Sequence, residues 1–217
     1  MPYDDRRIAM VAMGPGGDPI TFWNARYGEP GFAYGDQPND FLRERAQRLP
    51  PGQALCLAEG EGRNAVHLAE LGHTVTAQDI SPVGLAKAER LAAARGVSIT
   101  TLCCDLVDFQ PEPRSTDLVV AIWMHLPEVL RSEVHRRAAA ALRPGGHLIL
   151  EAYTPRQLAL GTGGPRLPGL LLEPEALRRD LDGLELLVLE EQERWVHEGR
   201  WHQGHSAVVR ALARKHA

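Results

Sequence analysis

From Gln53 onward the apolar positions switch repeatedly between two spacings. Short alternating or continuous apolar runs, QALCLA, HTVTAQD, SITTLCCD, TDLVVAIW and GHLILEAY, predict strands. Between them GRNAVHLAELG, PVGLAKAERLAAARG and LPEVLRSEVHRRAAAAL place apolar residues at helical spacing, while only a loop follows SITTLCCD. This alternation predicts a mostly parallel sheet with right-handed crossovers. The rhythm then changes. TPRQLALGTGGPRLPGLL reads as a loop, EPEALRRDL as a short helix, and GLELLVLEEQERWVHEGRWHQGHSAVVRALARK as two strands joined through a polar turn. That pair extends a five-stranded parallel core to seven strands, one of them antiparallel. Ahead of the sheet, after a Gly/Pro-rich lead (GPGG, 14–17), TFWNARYGEPGFAYGDQPNDFLRERAQRLP predicts a short helix, a loop, and a second helix starting near Asn39 or Asp40. With no internal repeat or low-complexity linker, residues 1–217 read as a single domain.

Composition narrows the function classes. A chain of 217 residues with 44% hydrophobic and 24% charged residues is ordinary for a soluble globule. A formal charge of −4 argues against a general nucleic-acid backbone binder, so no nucleic-acid partner is expected. Three cysteines, two of them adjacent, make neither a disulfide framework nor a paired zinc motif. Cys103 and Cys104 are expected to be buried small hydrophobes on opposite faces of a strand. No apolar run approaches a membrane span, and Asp4 and Asp5 stand where a secretory signal would want a basic flank. A cytoplasmic protein, monomeric or homodimeric and without a membrane partner, is the expectation.

The stretch LCLAEGEGRNAVHLAELG carries the candidate chemistry. Ala58, Gly60 and Gly62 fall where a strand becomes a helix, and small residues there let a ligand approach free backbone N–H groups. Asp79 ends the next strand, where a carboxylate can accept both hydroxyls of a ribose. Together they describe a nucleoside site. GEGRNA also satisfies the dinucleotide pattern. A short-chain dehydrogenase would need a lysine four residues after a tyrosine, however, and Tyr3, Tyr27, Tyr34 and Tyr153 are followed at that distance by Arg7, Gly31, Pro38 and Gln157. No Lys-Ser or Lys-Thr closes the glycine stretch, which excludes a phosphate-loop hydrolase.

With TAQDISPVGLAKAERLAAARG, CCDLVDF, TDLVVAIWMHLP and LRPGGHLILEAY following in order, the sequence resembles a class I S-adenosylmethionine-dependent methyltransferase over roughly residues 50–156. FWNARYGEPGFAYGDQPNDFL and EAYTPRQLALGTGGP resemble small bacterial tellurite-resistance and thiol/thiopurine-type methyltransferases. The resemblance implies a Rossmann-like α/β fold, a seven-stranded mixed sheet of order 3-2-1-4-5-7-6 with helices on both faces. It implies S-adenosyl-L-methionine as cofactor, S-adenosyl-L-homocysteine as product, and a small-molecule methyl acceptor such as a thiol or chalcogen oxyanion. Ala58, Glu59, Gly60, Gly62 and Asn64 would lie along the methionyl part and ribose; Asp79 would hold the ribose hydroxyls and Ile80 the adenine. Asp105 and Leu106 would face the adenine amine, and Ala121, Ile122 and Trp123 would form the wall beneath the sulfonium. The pattern departs from the family at Cys56, where an acidic residue is usual, and at Ala58, where a glycine is usual; Glu59 is a candidate replacement charge.

Further candidates surround this frame. Trp23, Arg26 and Tyr27 share one helical face, from which Arg26 can meet the methionyl carboxylate and the rings can close the pocket, or the helix can simply pack on the core. Arg63 can pair with Glu59 or Glu61, or lie in solvent. His125, at the sheet edge in WMHLP, is a candidate base or positioning residue. Tyr34, Glu151, Tyr153, Trp195 and His197 are candidate acceptor contacts, with Glu151 equally able to meet an arginine across the sheet. Trp195, His197, Trp201 and His202 can form a pocket rim; HEGRWHQGH does not demand a metal, and none is expected. Residues 18–50 are expected to form an N-terminal helical cover, its aromatic segment closing the acceptor side together with the 154–172 loop. A non-catalytic nucleoside-binding regulator and an NAD-dependent oxidoreductase are the competing function classes.

Overall fold

The computed structural model describes residues 18–216; the lead at 14–17 and the Asp4–Asp5 pair lie outside them. One sheet has the order β3-β2-β1-β4-β5-β7-β6, built from β1 (Gln53–Cys56), β2 (Thr74–Asp79), β3 (Thr100–Cys103), β4 (Thr116–Ile122), β5 (Leu142–Tyr153), β6 (Leu184–Glu198) and β7 (His202–Lys215). The first five strands are parallel, and β7 runs antiparallel to both β5 and β6. The order is the one the family resemblance implies.

The central strands read as continuous apolar runs because both sheet faces are covered. On β4, Val119 enters one core cluster with Leu55, Leu148 and Leu130, while its neighbours Leu118 and Val120 enter the other with Ala54, Cys56, Ile149 and Leu68. The helices are α1 (Pro19–Gly28), α2 (Asp40–Ala46), α3 (Arg63–Glu70), α4 (Pro82–Ala94), α5 (Glu128–Ala141), α6 (Gln157–Leu160) and α7 (Pro174–Asp180). Their starts follow from local chemistry. Asp18 accepts from the N–H groups of Ile20 and Thr21, and the Asn39 side chain accepts from Leu42 N–H. Ser81 accepts from Gly84 N–H with Pro82 beginning α4.

Three local readings need correction. The RPGG segment belongs to β5, which starts immediately after α5 and pairs Leu142 with Thr116 across a register shift. The 154–172 segment contains α6 and a 3-10 turn at Pro168–Leu170. Cys103 is exposed and Cys104 only half-buried, because β3 is the edge of the sheet and lacks a neighbour on one side.

Candidate functional site

Beyond Cys56 the chain turns sharply, with positive φ at Ala58 (49°), Gly60 (63°) and Gly62 (90°). Asp79, buried at the end of β2, receives Gly60 N–H at its Oδ2 and Ser81 N–H at its Oδ1, each at 2.8 Å. Burial raises its pKa to about 6, against the lowering effect of these two donors. Each oxygen keeps a lone pair for a further donor, so the carboxylate suits a pair of ribose hydroxyls. The glycines also answer to packing. A Cβ on Gly60 would lie 2.5 Å from the Tyr27 hydroxyl, and one on Gly62 would strike the Cβ of Ala88 on α4.

Glu59 is buried and turned away from this surface. One of its oxygens accepts from both Asn64 and Ala65 N–H groups at 2.9 Å, satisfying free donors at the start of α3. Burial raises its pKa to about 7. It therefore serves the helix terminus, and the buried Cys56 thiol supplies no charge in place of the usual acid; burial pushes that thiol well up. Glu61 pairs with Lys87 at 2.8 Å and accepts from Ala33 N–H, tying the cofactor loop to the segment after α1.

On the other side of the β4 end stands a cluster of rings. Trp123 and Tyr153 stack at 4.3 Å between centroids, His125 lies parallel to Tyr153 at 5.7 Å, and His202 meets Trp123 and Tyr153 edge-on at 4.8 and 5.2 Å. Tyr34 closes on His202 at 4.5 Å. Through α1, Trp23 stacks on Tyr27 at 5.4 Å, while Arg26 donates to the Tyr34 hydroxyl and places its guanidinium 3.8 Å from the Trp201 ring. The loop after α6 lies over Tyr153, whose ring leaves no room for a Cβ at Gly164. His125 Nδ1 is 2.9 Å from the Leu170 carbonyl, which fixes the proton on Nδ1 and leaves a lone pair on Nε2. Among the described residues Nε2 is buried without a hydrogen-bond partner, as are His202 Nδ1 and the Tyr153 hydroxyl. Burial lowers His125 to about 4 and His202 to about 3, so both rings are neutral near pH 7.

Glu198, on the strand farthest from the cofactor loop, holds the two sides together. Its Oε2 accepts from Trp123 Nε1 and from Arg63, both at 2.5 Å; its Oε1 accepts from Arg194 at 2.8 Å and from Asn39 at 3.0 Å. Burial opposes its ionisation, but Arg63 and the other donors hold its pKa down at about 2. Trp123 sits at φ 58°, costly for a bulky residue, and is fixed there by Glu198 and by its N–H bond to the Glu151 carbonyl at 2.8 Å.

The remaining candidates divide clearly. Asp105 accepts from Val107 N–H and stays half-buried near the end of β3, and Ile80 is half-buried after β2. The side chains of Leu106, Ala121 and Ile122 belong to the core, leaving only backbone for a ligand. Asn64 is occupied by Asn39 N–H, and Arg63 pairs with Glu198 rather than Glu59 or Glu61. Glu151 is fully buried and consumed by Arg194, Arg210 and Asn39, so it meets arginines and not an acceptor. Trp195 and His197 point to solvent on the opposite face of β6 from Arg194 and Glu198; the rim retains Trp201 and His202 alone. Asn39, Arg194 and Glu198 carried no motif. The acid-base alternation of RWVHEGR was the available signal.

A model described as a methyltransferase domain matches residues 54–146. The human N-terminal Xaa-Pro-Lys N-methyltransferase 1 is 30% identical over 168 residues, 70% of each chain. The chain belongs to the class I S-adenosylmethionine-dependent methyltransferases. With the rat enzyme of the same name the identity is 33%, over about half of either chain (51% and 52%). Two solved structures share the fold. One, from work on conversion of a disulfide bond into a thioacetal group during echinomycin biosynthesis, has a TM-score of 0.73 at 19% identity and covers 91% of this chain and 92% of its own. TehB from Haemophilus influenzae has a TM-score of 0.66 at 20% identity, covering 90% and 66%.

The groups at the ends of β1, β2 and β4 fit a nucleoside. Asp79 has lone pairs to spare, and the ends of β2, β3 and β4 bring Asp79, Asp105 and Trp123 to one edge of the sheet. Among the described residues no cluster suited to a metal is formed, and no helix is long and apolar enough to cross a membrane.

Proposed function

We propose that this chain transfers a methyl group from S-adenosylmethionine to a small-molecule acceptor seated against the aromatic cluster, a thiol or a chalcogen oxyanion being the first candidates. The observation that carries this reading is the placement of Trp123 and His125 two residues apart at the end of β4, between the Asp79 loop and the rings of Tyr153 and His202. The bound cofactor supplies a methyl group already activated by its sulfonium, so the protein's task is alignment and exclusion of water. Asp79 holds the ribose hydroxyls. Trp123 forms the wall between cofactor and acceptor, and His125 Nε2 orients the acceptor or takes its proton. The α1 cover and the 154–172 segment close the two sides.

The test is calorimetry with S-adenosylhomocysteine and NAD in separate titrations, followed by a methyl-acceptor screen. Binding of S-adenosylhomocysteine with turnover of a small acceptor supports the proposal; binding of NAD alone overturns it, and cofactor binding without turnover of any acceptor marks a nucleoside-binding regulator. A peptide beginning Xaa-Pro-Lys, the acceptor in the relatives' name, belongs in the screen. The latch of Arg26 on Trp201 and Tyr34 over the cluster favours a small acceptor against it.

A further inference from the structure

Asp79 and the turn from Glu59 to Gly62 are buried by the chain's own atoms, and one residue of α1 lies directly on them. Tyr27 is the single buried residue in that helix. Its hydroxyl stands over Gly60, where an added Cβ would meet it at 2.5 Å, and its ring covers Gly84 at the start of α4, where an added Cβ would meet it at 2.8 Å. Burial first, and then the nearby carboxylates of Asp79, Glu61 and Glu59, push the pKa of that hydroxyl well up. A nucleoside approaching Gly60 and the Asp79 oxygens meets Tyr27 first.

Two polar catches fasten α1 to this place. In the helix, Asn24 Oδ1 accepts from the Ser81 hydroxyl at 2.6 Å, and it is the Ser81 N–H that donates to Asp79. Beyond the helix, Lys87 on α4 donates to three acceptors: the carbonyls of Glu29 at 2.8 Å and Gly31 at 2.6 Å, and the Glu61 carboxylate at 2.8 Å. An ammonium has three donors, so all are used. Glu61 also accepts from Ala33 N–H, which completes a clasp between residues 29–33 and the glycine turn. The backbone beside the clasp has room to bend, since an added Cβ at Gly28 or Gly31 would meet nothing within 4 Å and Gly31 sits at φ 74°. A helix that buries one side chain and is otherwise held at its edges is of the kind that opens locally, well short of global unfolding.

We propose that Lys87 is a positioning residue for cofactor entry: by clasping residues 29–33 to the glycine turn it holds Tyr27 over Gly60, and α1 swings away, hinging at 28–31, to let the nucleoside reach Asp79. This rests on the reading of Gly60 and Asp79 as the nucleoside site and adds a rate to it. Lys87 acts through Tyr27 and not on the cofactor. The clasp sets how often the site opens, whereas Asp79 sets how tightly it holds what enters.

The test is stopped-flow mixing of the full chain with S-adenosylhomocysteine, read by tryptophan fluorescence, Trp23 being stacked on Tyr27. In the wild type the observed rate should level off at high ligand, at the rate with which α1 opens. Lys87→Met keeps the stem and removes the donors; it should raise that plateau at least about tenfold, the scale of one lost charged hydrogen bond. Asn24→Ala, which releases the other catch, should raise it severalfold. Tyr27→Ala should abolish the plateau, so that the rate climbs linearly with ligand, while Tyr27→Phe, which keeps the ring, should retain it. A merely structural Lys87 would lower the denaturation midpoint in Lys87→Met and leave the plateau where it was. That result, a wild-type rate linear in ligand throughout, or a plateau that falls in Lys87→Met, as closure after binding requires, overturns the inference. An unchanged S-adenosylhomocysteine affinity in Asp79→Ala would instead overturn the placement of the nucleoside, and failure of the wild type to bind it would overturn the methyl-transfer reading.

Discussion

The two halves of the site are built from different materials. The half around the glycine turn is backbone: three left-handed positions among residues 58–62, N–H groups taken up by Gln78, Asp79 and Glu59, and one carboxylate at a strand end. The ring cluster is side chain, assembled from α1, β4, β5 and the β6–β7 hairpin, and it depends on a buried ionic hub with partners far apart in sequence. Local chemistry specifies the first. Only the finished sheet specifies the second.

The largest effect should come from breaking the hub. Glu198→Ala leaves Arg63 buried without its carboxylate, leaves Arg194 with Glu151 alone, and removes the anchor of Trp123, so stability should fall by about 3–5 kcal/mol in chemical denaturation. A fall below 1 kcal/mol would mean that the two halves stand independently. His125→Gln comes next: turnover should drop about 10²–10⁴-fold with S-adenosylhomocysteine affinity nearly intact, the scale of a positioned proton transfer. Because burial lowers His125 to about 4, its nitrogen is free at every pH above that value. The wild-type single-turnover rate over pH 6–9 should therefore follow the acceptor's own ionisation, and a His125-dependent limb near pH 6.5 would contradict the cluster's desolvation.

Asp79→Ala acts on the backbone half. It should weaken S-adenosylhomocysteine at least about tenfold and also cost about 1–3 kcal/mol of stability, since Gly60 and Ser81 lose the acceptor of their N–H groups. The smallest effect is at Ala58, at φ 49° where a glycine would be relaxed. Ala58→Gly should raise stability by up to about 1 kcal/mol, or about 2–4 °C in Tm, relief of the left-handed penalty being partly offset by glycine's greater unfolded-state freedom.

The fold was legible because each strand and helix announces itself over a few residues: the apolar spacing of TDLVVAIW or of PVGLAKAERLAAARG needs no distant partner. Asp79 and the glycine turn were legible for the same reason. Glu59 was visible as a charge but not as a cap, because its partners are donors of the following helix turn rather than a ligand. Glu151 and Tyr153 share a strand face as the alternation requires, yet one is drawn into arginines from β6 and β7 and the other into the ring stack. Trp195 and His197 misled because aromatic residues in a hairpin read as a rim until the strand's phase is known. A shift of one residue exchanges the faces. Glu198 and Arg194, one phase away, are the residues that reach inward.

The hub at Glu198 also has a consequence in time. Arg63 and Glu198 are 135 residues apart, so at a synthesis rate of roughly 5–20 residues per second the arginine emerges roughly 7–27 s before its carboxylate. Asn39 and Trp123 wait on the same residue. The parallel strands can begin to assemble during that interval, while Trp123 lacks the contact that holds its unfavourable backbone angle. The nascent chain thus carries the glycine turn early and the ring cluster last, and premature release before the final hairpin would yield a sheet without the Glu198 anchor of Trp123.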